Sequence, residues 1–107
     1  MEKIVNLTPH DVVVLQNGVQ TSYPSQGVAR VEEQLKLVGY FDGVAEFEAT
    51  YGDITGLPEP QNGVIYIVSG QLKNAAKELG RKDTRSPARQ IRDPATGHVL
   101  YAEGLLR

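Results

Sequence analysis

Ser69 and Gly70 stand where an apolar run, Val64–Val68, meets the stripe Leu72, Ala75, Ala76 and Leu79. The β-branched run has the length of a buried strand. The stripe falls at i, i+3, i+4 and i+7, one face of a helix packing on a core. Ser69 occupies the N-cap position of that helix and Gly80 its C′ position. A strand ending at a helix N-terminus aims free backbone N–H groups and partial positive charge at one spot, which favours an anion. Just past the helix, residues 81–92 carry Arg81, Lys82, Arg85, Arg89 and Arg92. The planar guanidinium fork suits phosphate, so Arg85 and Arg92 join Ser69 as candidate ligand-binding residues. The competing reading of 81–92 is a long solvated loop.

Further candidates lie in the N-terminal half. Asn6-Leu7-Thr8-Pro9-His10-Asp11 interrupts two apolar segments with polar side chains. Locally, Asn6 or Thr8 would bond nearby backbone in an Asx or Ser/Thr turn. Alternatively Asn6, Thr8 and His10 project from a bulge into a site. Arg30 follows Val28-Ala29 and needs a counter-charge, Glu32 or Glu48, or a ligand. Tyr51 and Tyr66 are placed to stack on a base, or to sit at a core rim. Of the two histidines, 88 positions apart, His98 follows a turn and reads as solvated. No metal-ligand spacing is present. Ser69, His10 and Asp11 or Asp93 can be assembled into a triad on paper, but no nucleophile frame surrounds Ser69. Glu46 and Glu48 share a strand face and read as solvent charges rather than an acid–base pair.

The elements that must hold these residues are mostly short strands. Ile4-Val5 and Val12–Leu15 flank the polar interruption, and Asn17-Gly18 turns the second into Val19–Tyr23. Val28–Val31 is a further short strand, and residues 32–36 fit either a helical turn or the start of the next strand. Lys36–Phe41 and Val44–Thr50 flank Asp42-Gly43, a second hairpin, with period-2 alternation in its return arm. Residues 52–63 form a loop stiffened by Pro58 and Pro60. Asp93–Gly97 is a turn, and His98–Leu106 is the last strand. The pattern predicts an α+β domain: a curved or partly closed, largely antiparallel sheet of about six or seven short strands, with one covering helix near 70–79.

Composition narrows the classes. The 107 residues fit a single domain, 1–107, with enough core to fold without staples. With no cysteine there are no disulfides, zinc–thiolate sites or thiol nucleophiles. No apolar run approaches the ~20 residues of a membrane span, and Met1-Glu2-Lys3 does not open a signal peptide, so a soluble cytoplasmic protein is expected. Residues 1–60 hold three Lys/Arg against nine Asp/Glu, whereas residues 61–107 hold eight against four. That asymmetry fits an anionic partner, attraction between the halves, or pairing of identical chains. A net charge of −2 argues against general nucleic-acid binding.

Five stretches carry a resemblance: Asn-Leu-Thr-Pro-His at 6–10, Pro-Ser-x-Gly-Val-Ala-Arg-Val at 24–31, Tyr-Gly-x-x-Thr-Gly-Leu-Pro-x-Pro at 51–60, Tyr-Ile-Val-Ser at 66–69 and, loosely, Arg-Asp-x-x-x-Gly at 92–97. In these the chain resembles a family of short, mostly uncharacterised proteins encoded by tailed phages and prophages. The resemblance implies a phage accessory protein acting in the host cytoplasm. By analogy with immune antagonists, the expected activity is sequestration of a nucleotide-like anion, such as a cyclic nucleotide or cyclic ADP-ribose. The expected site is Asn6, Thr8, His10, Arg30, Tyr51, Ser69, Arg85 and Arg92, with no cofactor, no metal and no catalytic residue, in a homo-oligomer. Two rival expectations are a phosphodiesterase using His10 as general acid or base, and a protein-binding inhibitor or minor virion component presenting acidic strands.

Overall fold

The computed structural model describes residues 2–107, and they form eight strands and one helix. In chain order these are β1 (Lys3–Asn6), β2 (Val12–Gln16), β3 (Val19–Tyr23), β4 (Arg30–Phe41), β5 (Val44–Thr55), β6 (Val64–Ile67), α1 (Gly70–Glu78), β7 (Thr84–Arg92) and β8 (Val99–Leu106). Six strands make one sheet in the order β1-β6-β7-β8-β2-β3, and β4 pairs with β5 alone. The α+β class, the curved sheet and the lone helix are as the pattern predicts.

Both hairpins turn where expected. Asn17 and Gly18 take φ of 52° and 77°, and Asp42 and Gly43 take 50° and 77°. Two successive left-handed residues are the type I′ geometry that matches the twist of the flanking strands. Helix α1 begins at Ser69, whose Oγ accepts the Leu72 amide, and ends before Gly80 at φ 86°.

Most of the pairing is antiparallel, as expected, with three parallel steps within the six-stranded sheet. β1–β6, β6–β7 and β2–β8 are parallel, whereas β7–β8 and β2–β3 are antiparallel. The reason is α1: a helix following β6 carries the chain back across the sheet, so β7 returns in the same direction as β6. The sheet is nearly closed, because a bridge joins Asn6 to Ser25 just past β3. The Gln26 amide also donates to the Asn6 carbonyl at 2.9 Å.

Three segments differ from expectation, the first being residues 52–55, expected as loop but extended as the end of β5. Residues 84–92 are not loop but β7, at the middle of the sheet. Its inward side chains, Thr84 and Ser86, are buried but small and polar, so no apolar alternation reveals the strand. Pro87 is tolerated because it lies beyond the last β6 pair, Ile67–Arg85, where the ladder ends. Residues 30–41 are one continuous strand, which resolves 32–36 as extended.

The core gathers Leu7, Ala29, Tyr66, Val68, Leu72 and Ala76, with Val31, Ile54 and Leu57 packed against it. Leu72 is fully buried, a contribution of about 2 kcal/mol from its side chain. Only the base of the β4–β5 hairpin reaches this core. Its distal part projects as an arm, with Leu35, Leu37, Tyr40, Phe41 and Phe47 exposed.

Candidate ligand-binding cleft

An open cleft of about 690 Å³ lies at the N-terminus of α1. Its apolar lining is Val12, Val13, Val68, Val99, Leu100 and Tyr101. Polar groups from four separate segments converge on its rim: Thr8, His10 and Asp11, then Ser69 and Gly70, then Ser86 and Gln90, then His98.

The helix end is prepared for an anion. Ser69 is extended at φ −64° and ψ 155°, and its Oγ takes up the Leu72 amide at 3.2 Å. The Lys73 amide bonds the Ser69 carbonyl at 2.9 Å. The amides of Gly70 and Gln71 precede the first intrahelical bond and have no partner in the helix. Gly70 is exposed on the cleft wall. Ser86 lines the same cleft and is 6 % exposed. Its hydroxyl has no hydrogen-bond partner within the described chain, yet no fully enclosed side-chain polar atom is left without one. Its residual access is therefore to the cleft.

The lining segment Thr8–Asp11 is held by Asn6, which is fully buried. Its Nδ2 donates to the His10 carbonyl at 2.7 Å and to the Tyr23 carbonyl at 2.8 Å. Its Oδ1 accepts from the Thr8 amide at 2.9 Å and the Thr8 hydroxyl at 2.7 Å. This is an Asx turn that also ties β1 to β3, and it fixes the Thr8–Asp11 segment over the cleft. Asp11 Oδ1 accepts the Ser25 amide at 3.3 Å. His98 is placed by the turn before it, in which the Gly97 amide donates to the Asp93 carbonyl at 2.7 Å and the Asp93 amide to the His98 carbonyl at 2.8 Å.

Of the eight residues expected in one site, Thr8, His10 and Ser69 line this cleft. Asn6 does not line it, and its amide is fully engaged. Arg92 sits outside, donating to the Gly97 carbonyl at 3.0 Å and to the cleft residue Gln90 at 3.5 Å. Arg85 lines a different pocket near the other end of α1. Arg30 and Tyr51 belong to the β4–β5 hairpin. Ser86 and His98 escaped the sequence reading, Ser86 because its strand looked like loop, and His98 because only the fold brings position 98 to position 10.

Ser69, His10 and Asp11 do share the cleft, so the paper triad is not dispersed. Ser69 Oγ nonetheless serves as a helix cap, bonded to a backbone amide rather than to a base. Among the described residues no group of three or more His, Cys, Asp or Glu side chains could hold a metal ion. No described helix is long and apolar enough to cross a membrane. Compared with protein-family models, with curated proteins and with solved structures, the chain matches none of them.

Proposed function

We propose that the cleft binds a nucleotide-like anion and holds it intact, sequestering an immune signal such as a cyclic nucleotide or cyclic ADP-ribose in the cytoplasm of a phage's host. The observation that carries this reading is one cleft lined by the free end of α1, the unpartnered Ser86 hydroxyl, two histidines and apolar side chains. A phosphoryl group fits the Gly70 end, where backbone N–H groups and the helix dipole favour negative charge. The Asp11 carboxylate disfavours an anion at its own end and would instead accept from a ribose hydroxyl or a base amine. Val99, Leu100 and Tyr101 offer a surface for a base. The phage setting comes from the sequence resemblance, and the exposed apolar face of the β4–β5 arm supports pairing with a second copy.

A second reading rests on one observation: the two histidines share this cleft, as an acid and a base must in metal-free phosphodiester cleavage. One incubation separates the two. The protein is mixed with cyclic dinucleotides, cyclic oligonucleotides and cyclic ADP-ribose isomers, and the free fraction is compared with what heat denaturation releases. Sequestration predicts a compound depleted and then recovered intact; a linear product replaces it with the phosphodiesterase. No change in any compound overturns both and leaves the protein-binding inhibitor. Gly70→Pro then localises the site, because proline is accepted at the first helical position after an extended residue but removes the amide. The expected loss of affinity is about tenfold or more, with α1 retained by circular dichroism.

A further inference from the structure

A second pocket, about 390 Å³, flanks the last turns of α1 and is lined by Lys73, Lys77, Gly80, Arg81, Lys82, Thr84, Arg85 and Arg107. Six of these eight are cationic, and no acidic side chain lines it. Lys73 and Lys77 are four apart and so share one helix face. Lys73 is 6 % exposed, and its ammonium makes one long hydrogen bond, 3.4 Å, to the main-chain oxygen of Arg107. Thr84 is 4 % exposed, and its hydroxyl has no partner within the described chain.

Asp83, between the lining residues Lys82 and Thr84, is already engaged. Asp83 accepts from Arg81 Nε at 2.9 Å and from Arg81 Nη2 at 2.8 Å. Arg85 is oriented by donating Nη1 to the carbonyls of Lys82 at 2.8 Å and Thr84 at 2.9 Å, which leaves its other nitrogens free. The carbonyl end of α1 opposes an anion only weakly there, because the Ala76 and Lys77 carbonyls are capped by the amides of Leu79, Gly80 and Arg81 and the surrounding cations outweigh the helix dipole.

We propose that this pocket is a binding site for a compact polyanion carrying two or more phosphoryl groups, separate from the cleft at the helix N-terminus. The lining holds no aromatic side chain, so it reads charge and not a base. It is concave and near the small end of ligand sites, unlike the extended basic stripe that tracks a nucleic-acid backbone. The acidic N-terminal half of the chain would also repel a long polyanion running past the pocket.

The test is calorimetric titration with inorganic tripolyphosphate at fixed ionic strength, with sulfate and a DNA duplex as comparison titrants. Saturable binding of tripolyphosphate, at least tenfold tighter than sulfate, is expected. Lys73→Met should weaken it tenfold or more, whereas Lys36→Gln on the distant arm should leave it unchanged. If Lys73→Met does not fold, the pair Lys77→Gln, Arg85→Gln, one exposed and one half-buried, carries the same expectation. Absence of binding, equal losses at Lys36 and in the pocket, or tighter binding of the duplex would each overturn the proposal. Binding here is independent of Gly70→Pro, which distinguishes the two sites.

Discussion

Asn6 uses every hydrogen-bonding position of its amide in a place water does not reach. Replacing it with alanine strands the Thr8 amide and two carbonyls, a cost of about 2–4 kcal/mol. The urea midpoint should fall accordingly with an unchanged slope, and Asn6→Asp should fare no better, because a carboxylate cannot donate to the carbonyls of His10 and Tyr23. A shift below about 1 kcal/mol would mean that water replaces the amide. The polar break at 6–11 was legible in the sequence as a turn or as a projecting site. It is a turn beside the cleft: Asn6 holds it, while Thr8 and His10 line the cleft. Tyr23, the partner 17 positions away, was not legible, since no local pattern encodes which strand closes a sheet.

At the level of elements, legibility followed the strength of the local rule. Asn-Gly and Asp-Gly gave both hairpins, and Ser69 and Gly80 gave both ends of α1, because each residue meets a specific backbone requirement. β7 was missed because its inward residues are small and polar, and with it the placement of Ser86 and Arg85. The gathering of arginines into one site failed for a related reason: β7 sends Arg85 to one end of the helix, while Arg92 lies near the far end of the strand. Gly56 shows a requirement that only the fold reveals. It sits at φ 78°, and a Cβ there would lie 2.6 Å from the Val28 carbonyl oxygen. Gly56→Ala should therefore cost about 2–4 kcal/mol, a melting point lower by about 10 °C or more. Gly39→Ala, with ordinary φ and open space around it, serves as the neutral control.

For the molecule as a whole, one ion pair links distant parts. Arg81 grips Asp83 with two nitrogens and also donates to the Pro58 carbonyl at 2.8 Å, tying the 56–63 loop to the start of β7. Hydrogen bonding from Arg81 holds the Asp83 carboxyl below its usual range. As pH falls, the unfolded chain therefore takes up this proton first, so the stabilisation present at neutral pH is lost through and below about pH 4. Urea midpoints between pH 7 and pH 3 should drop more steeply for the native chain than for Asp83→Asn. The arm has a different consequence. The Cα radius of gyration is 16.2 Å, against roughly 13 Å for a compact chain of this length. With extents of 50 × 39 × 20 Å, the protein has the drag of a larger sphere. It will tumble slowly and leave a sizing column early even as a monomer, so its stoichiometry must be weighed by sedimentation equilibrium or light scattering rather than inferred from elution.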